Sequence, residues 1–469
     1  MTDRLHNNPP EGLSEGSWAA RDLKSLLHPV TNLALHSQRG PLVVVRGEGV
    51  RVWDENGREY IEGMAGLWCT ALGYGNEELA EVAAEQMRQL SYNHMFAGRS
   101  HPPAIRLAEM LKDMLPMDVG KIFFGNSGSD ANDTQVKLAR YYNNATGRPR
   151  KKKIISRTKA YHGTTVASGS LTGLPPFHAD FDLPIDGVLH TDCPHYYRFA
   201  EPGESEEEFT DRLANSLSQL IERESPDTIA AFIAEPVMGA GGLMVPPTNY
   251  FDKIVPILKE HDILLIDDEV ICGFGRTGNP FGCQTYNFKP DTMSMAKALS
   301  SAYLPISAVA VPDYMHEVFI EQSRKIGMFG HGLTYAGHPV CAAVAARNLE
   351  IMARINLFDQ VKAKAPVFQS RLRTLADHPL AGEVNGVGLL GVVEITRNKS
   401  TKQLFDPADG MGLKCADACA EAGLIIRFIG DRLVVCPPLI ITEAEIDELF
   451  ECFRAGLDAV LELCRGKLD

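Results

Sequence analysis

The spacing of apolar positions changes at about residue 76. Before it, Val43-Val-Val45 and Val50-Arg-Val-Trp53 flank Arg46-Gly-Glu-Gly49, which predicts a β-hairpin. Tyr60-Ile61, after the turn Glu55-Asn-Gly57, predicts a further short strand. Beyond it, helical spacing over Glu77 to Leu90, Pro103 to Leu115 and Asp130 to Asn144 alternates with short apolar runs. These are Lys121-Ile-Phe-Phe124, Lys153-Ile-Ile155, Ile229-Ala-Ala-Phe-Ile233, Ile263-Leu-Leu-Ile266 and Ile306-Ser-Ala-Val-Ala-Val311. Uninterrupted apolar strands separated by amphipathic helices predict an α/β protein with a mostly parallel, doubly wound sheet covered on both faces. After Pro339 the order changes. Helices over Val340 to Ile355 and Gln360 to Ala376 precede strands at Leu389 to Val393 and Arg432 to Val435, and a last helix starts at the cap Thr442-Glu-Ala-Glu445. Residues 76–339 therefore read as a large domain and 340–469 as a smaller α+β domain. The arm and hairpin of residues 1–75 are expected to pack with the latter.

The length of 469 residues fits two large α/β domains as well as three of average size. A net charge of -14 opposes nucleic-acid binding, which needs a basic face. Arg148-Pro-Arg-Lys-Lys-Lys153 lies between a helix end and a strand and reads as an exposed loop. Glu204-Ser-Glu-Glu-Glu208 reads as the acidic first turn of a helix. Ten cysteines without a CxxC pair imply reduced thiols, and Cys415 and Cys419, on one helix face, read as packing. No metal site is expected. The first residues carry acids early and lack an apolar segment, and no apolar run approaches a membrane span. A soluble, cytoplasmic protein is the expectation, its first 25 or so residues forming an arm that orders against something else.

Chemistry is concentrated near Lys297. It lies among small residues in Met295-Ala-Lys-Ala-Leu-Ser-Ser301, downstream of a buried strand that ends in Asp267-Asp268. A strand-end carboxylate with a lone lysine is what pyridoxal phosphate (PLP) requires: an amine to bond its aldehyde, and an acid group to keep its ring nitrogen protonated. Lys297 as a plain surface lysine, and the aspartates as a metal or acid–base pair, are the alternatives. Adjacent strand residues face opposite sides, so one aspartate, Asp268, is expected in the site. Phe123-Phe-Gly-Asn-Ser-Gly-Ser-Asp130 runs from strand to helix through a turn suited to a phosphate. It lacks the P-loop lysine, and a plain helix cap would equally explain Ser129. Gly273-Phe-Gly-Arg-Thr-Gly278 matches a dinucleotide fingerprint, but Asn279-Pro-Phe-Gly282 cannot open the helix that such a site needs. Tyr161 could stack on a heteroaromatic ring, while His162 alone reads as structural.

Taken together, Asn126-Ser-Gly-Ser-Asp-Ala-Asn132, Tyr161-His-Gly163, Glu235-Pro, Asp268-Glu-Val-Ile-Cys-Gly-Phe-Gly-Arg-Thr-Gly278, Lys297 and His331-Gly-Leu-Thr-Tyr-Ala-Gly-His-Pro339 resemble the class III aminotransferases, PLP-dependent ω-aminotransferases of fold type I. The likeness spans nearly the whole chain after about residue 25 and implies a seven-stranded sheet in the large domain. It implies that Lys297 bonds the cofactor and carries the proton, and that Asp268 pairs with the ring nitrogen. Tyr161 and Val270 would sandwich the ring, and Gly128 and Ser129 would cradle the phosphate, with Ser127 and His162 also in the cofactor site. Thr334 would reach the phosphate from a neighbouring subunit, which implies a homodimer or a dimer of dimers. Gly66-Leu-Trp-Cys69, Tyr141-Tyr-Asn-Asn144, His190-Thr-Asp-Cys-Pro-His-Tyr-Tyr197 and Glu235-Pro-Val-Met-Gly-Ala-Gly-Gly242 look most like pyruvate-using γ-aminobutyrate transaminases and amine–pyruvate transaminases. Trp68 and Phe96 would then wall the substrate pocket. Arg427, in Ile426-Arg-Phe-Ile-Gly-Asp431, would swing in for a carboxylate. Ala240 stands where related enzymes carry a glutamate, and Asp130 where a glutamate is commoner. The implied reaction moves an amino group from an amine or ω-amino acid to pyruvate, giving an aldehyde or ketone plus alanine. A decarboxylase or aminomutase of the same fold, a nicotinamide oxidoreductase and a non-catalytic PLP-binding module are the alternatives.

Overall fold

Every residue of the strand Ile229–Ala234 is buried, as a run without polar alternation requires when helices cover both faces of a sheet. In the computed structural model, which describes residue 14 and residues 16–468, this strand is an interior one, third from one edge of a seven-stranded sheet. In chain order they are β1 (Lys121–Gly125), β2 (Lys153–Arg157), β3 (Val188–Thr191), β4 (Ile229–Ala234), β5 (Leu264–Asp268), β6 (Thr292–Met295) and β7 (Ser307–Val311). Their spatial order is β3-β2-β4-β5-β6-β7-β1. From β3 to β6 neighbouring strands are parallel, and β7 runs antiparallel to both β6 and β1. The carboxyl ends of β1, β2, β4, β5 and β6 thus share one edge, where open α/β sheets bind their ligands. The expected strands are present. β3 and β6 were not predicted, and the sheet is mostly parallel as expected, with β7 its one antiparallel strand. Residues 1–13 and 15 of the expected arm lie outside the described residues.

The hairpin Val44–Glu48 and Arg51–Asp54 is joined by Glu59–Glu62, and a C-terminal strand, Leu424–Ile425, pairs in parallel with the last of these. A second antiparallel sheet follows the order Ala381–Val387, Leu390–Ile395, Arg432–Val435, Arg427–Ile429. The final helix, Glu443–Cys464, begins with the predicted capping box: Thr442 accepts from the backbone of Glu445 while the Glu445 side chain accepts from that of Thr442. Cys415 and Cys419 are buried free thiols, and a Cβ at Gly456 on the final helix would lie 2.5 Å from the Cys419 sulfur. Both are packing residues.

The basic run Arg148–Lys153 is neutralised locally. Arg148 pairs with Asp262, Arg150 with Asp227 and Lys153 with Glu224. Lys151 departs from the exposed-loop expectation: it is buried and donates to the carbonyls of His261 and Asp262 at 2.9 and 2.6 Å. Buried Arg432 ties the C-terminal sheet to the loop that follows β4 in the large domain. Its guanidinium donates to Glu383 at 2.7 Å, to Glu394 at 2.5 Å and to the carbonyls of Gly242 and Leu243 at 2.5 and 3.1 Å. Such a network tolerates little displacement, because removing one partner leaves buried charge uncompensated. No described helix is long and apolar enough to cross a membrane.

Candidate active site

The alternation of side chains along β5 sends its two terminal aspartates to opposite faces. Asp267 packs against Glu269 and Cys283, and burial first, then the Glu269 carboxyl, push it well above the usual carboxylate range. Asp268 faces the other way into a cage of donors. Its Oδ2 accepts from Asn132 Nδ2 at 2.7 Å and from His162 Nδ1 at 2.7 Å, and its Oδ1 accepts from the Val270 amide at 3.1 Å. Asn132 also donates to the His162 carbonyl at 2.8 Å, so the carboxylate, the imidazole and the helix Gly128–Ala145 hold one another in place. A carboxylate that accepts three donors while buried has a fixed direction.

The helix Gly128–Ala145 starts directly beyond β1. Its cap is Ser127, not Ser129: Ser127 Oγ accepts from the Asp130 amide at 3.2 Å, and Asp130 Oδ2 accepts from the Ser127 amide at 3.1 Å. Asp130 Oδ1 accepts from Ser307 Oγ at 2.9 Å, which holds this acid back from the helix mouth. The first two helical amides, of Gly128 and Ser129, have no acceptor among the described residues. They supply the positive end that a phosphate would need. Ser129 Oγ accepts from the Thr164 amide at 3.2 Å, leaving its hydroxyl proton to donate. A Cβ at Gly128 would stand 2.9 Å from Val270 Cγ1, so only glycine lets the helix mouth and Val270 close on a flat group together. Tyr161 is positioned by Glu235, whose two oxygens accept from the Tyr161 and Gly239 amides at 3.0 and 2.9 Å.

Lys297 follows β6 after a single residue and takes a left-handed backbone, φ 49°; Trp68 does the same at φ 59°. Each such conformation costs a bulky residue about 1–3 kcal/mol and persists only where neighbours impose it. For Lys297 the neighbour is Asn348, buried in the helix Pro339–Arg354. It donates to the carbonyls of Ala298 and Leu299 at 2.9 and 3.0 Å and accepts from Ser301 Oγ at 2.6 Å. For Trp68 it is buried Glu62, which accepts from the Gly66 amide and which burial pushes up to about 7. Lys297 Nζ lies 5.3 Å and Arg427 Cζ 4.9 Å from the Trp68 ring centre. Burial lowers the Lys297 ammonium below the ordinary range, only partly offset by Cys69, Asp268 and Glu235, so more of it is the nucleophilic amine. Arg427, half-buried at the start of the strand Arg427–Ile429, is lowered by the same desolvation. Among the described residues it has no carboxylate at ion-pair distance.

The chain therefore gathers Lys297, Asp268, His162, Tyr161, Val270, Gly128, Ser129, Trp68 and Arg427 around the carboxyl edge of the sheet. Two candidates are elsewhere. Phe96 is exposed and packs at Gly332, where a Cβ would lie 2.7 Å from its ring, and the exposed Thr334 is held through its carbonyl by Tyr92 Oη at 2.7 Å. No contact among the described residues joins either to Lys297 or Asp268. Asn132, Glu62 and Asn348 had been given no role. Only Asn348 carried a signal, as an uncharged amide in the mostly apolar helix Pro339–Arg354. Asp268 caged by donors, an open helix mouth facing Val270 and a desolvated lysine suit the flat, anionic, aldehyde-bearing PLP.

Comparison with known proteins agrees. The family model described as Aminotransferase class-III matches residues 34–457. Gamma aminobutyrate transaminase 3, chloroplastic, of Solanum lycopersicum is 53% identical over 410 residues, covering 87% of this chain and 79% of its own length. Gamma-aminobutyrate transaminase 1, mitochondrial, of Oryza sativa subsp. indica is 51% identical over 90% of this chain and 82% of its own. The crystal structure of the omega transaminase from Pseudomonas jessenii in complex with PMP superposes with a TM-score of 0.94 at 48% identity, over 95% of this chain and 99% of that one.

Proposed function

The chain belongs to the class III aminotransferase family, and on that premise we propose that this PLP-dependent ω-aminotransferase takes its amino group from an ω-amino acid such as 4-aminobutyrate and delivers it to pyruvate. PLP supplies, when bound, an electron sink for the carbon that loses its proton. The residues placed to hold it are Lys297, Asp268, Gly128, Ser129, Tyr161 and Val270, with His162 orienting Asp268. Lys297 gives and takes the proton at Nζ, which desolvation keeps available in its free-base form. Trp68 lies against both Lys297 and Arg427 and excludes water between them.

The observation that carries the donor class is Arg427. A half-buried guanidinium without an acidic partner among the described residues, stacked on the ring that also covers Lys297, suits a substrate with an amine at one end and a carboxylate at the other. In the half-reaction without keto acid, Arg427→Leu is expected to lower kcat/KM for 4-aminobutyrate by about 10–100-fold, the worth of one charge-assisted pair. A donor amine without a carboxylate should react as before. Equal losses for both donors would remove Arg427 from substrate recognition.

We also propose that the active unit is a homodimer, with Thr334 and Phe96 completing the partner's site. The exposure of Thr334 and of Tyr335 (62%) next to it in the chain supports this reading. Sedimentation of the active holoenzyme should give a dimer or larger, and a fully active monomer would refute the shared site.

A further inference from the structure

Away from the catalytic residues, the N-terminal arm brings two imidazoles and a carboxylate together. Asp22 lies on the helix Trp18–Ser25, His36 on the helix Leu33–Arg39 and His28 on the connection between them. Both helices are independently fixed. Ser17 and Asn32 cap them, and the Glu55 carboxylate accepts from the amides of Trp18 and Ala19 at 2.8 and 3.1 Å. His28 Nε2 lies 2.8 Å and His36 Nε2 3.4 Å from the same oxygen, Asp22 Oδ1, and the three donor atoms lie within 4.8 Å of one another. The imidazole planes are tilted by 42° with centroids 4.2 Å apart, so both rings turn their Nε2 edge to one point.

A hydrogen bond between His28 and Asp22 accounts for one imidazole and leaves the other unexplained. His36 Nε2 is buried and has no hydrogen-bond partner among the described residues, although it points at the carboxylate, and a buried polar atom without a partner calls for a ligand or a cost. Bonds of about 2.0–2.1 Å from a tetrahedral zinc to nitrogen and oxygen place neighbouring donors roughly 3.3 Å apart. The observed 2.8 and 3.4 Å bracket that spacing. The side chains of Asp22 and His36 are 14% and 13% exposed and that of His28 27%, sheltered yet open to solvent on one side, where water could fill the remaining position.

We propose that Asp22, His28 and His36 form a zinc site that staples the two helices of the arm. Two imidazoles with one carboxylate are a donor set that favours zinc over calcium or magnesium, which take oxygen ligands. One ion would close the loop between residues 22 and 36, and because the unfolded arm does not hold the three groups together, its binding energy would appear as order in the arm.

The test uses the full-length holoenzyme, stripped with a chelator and titrated with zinc against a chromophoric competitor. One equivalent should bind at micromolar Kd or tighter, and cobalt in its place should give visible ligand-field absorption. His36→Gln and Asp22→Asn should each weaken binding at least tenfold, while His261→Gln, a histidine remote from the arm, should leave it unchanged. Zinc should raise the melting temperature of the wild type and not of the two arm variants, which should melt like metal-free wild type. Absence of stoichiometric binding, or equal zinc affinity and equal thermal response in the arm variants, would overturn the site.

Discussion

Lys297→Ala is expected to abolish turnover with every amine, a loss on the order of 10⁴-fold or more, because on the proposed assignment one side chain would supply both the covalent attachment and the proton carrier. Desolvation keeps this amine reactive, and its left-handed backbone is held by Asn348 and the turn Lys297–Ser300. The measurement is the mass of the chain after borohydride treatment together with turnover. Wild type should gain the reduced cofactor and the variant should not. A variant that retained turnover within tenfold of wild type would refute the role.

The second large effect is expected of Asp268→Asn, a fall in kcat of roughly 10³-fold with the cofactor still attached by borohydride. The amide cannot balance a protonated ring nitrogen. It also sets an NH2 group against donors: Asn132 Nδ2 and His162 Nδ1 both address Oδ2, and the Val270 amide addresses Oδ1. Any orientation of the amide opposes a donor to a donor, so thermal stability should fall as well. The pair of variants separates two functions: Lys297→Ala loses attachment and turnover together, and Asp268→Asn loses turnover alone. Asp268→Asn turning over at wild-type rate would mean that the ring nitrogen is managed by another group.

The residues that carry chemistry were legible where the backbone alone fixes their place. Asp268 ends a buried strand and Lys297 follows the next one; side-chain alternation limited the site to one of the two aspartates, and Asp268 was favoured as the one leading into Val270. Ser127, Gly128 and Ser129 lie in a strand-to-helix turn, although the assignment of the cap to Ser127 needed coordinates. Positioning residues were less accessible. Asn348 acts on Lys297 from 51 positions along the chain, and Glu62 acts on a turn whose irregular backbone no periodicity announces. In the fold, β3 and β6 escaped notice because Val188–Thr191 and Thr292–Met295 are four residues long and half polar, and their burial comes from neighbouring strands. The antiparallel direction of β7 had a signal that apolar content does not carry. Between Met295 and Ser307 there is no room for the crossover that a parallel return requires. Phe96 and Thr334 were expected in the site from resemblance, and a single chain leaves them apart from it.

Arg432 bears on how substrate range can change. Its register partner Ile429 begins a tip, Gly430 and Asp431, that closes the hairpin starting at Arg427, while the Arg432 guanidinium is moored to two glutamates and two carbonyls on its other side. The mooring separates the hairpin into a fixed root and an interchangeable outer strand. Substitutions at 427–429 should therefore alter which substrates are accepted without disturbing how the C-terminal sheet meets the large domain, whereas any change at 432 should loosen both at once. Variation at this rim is modular, and libraries aimed at new amines belong on the outer strand.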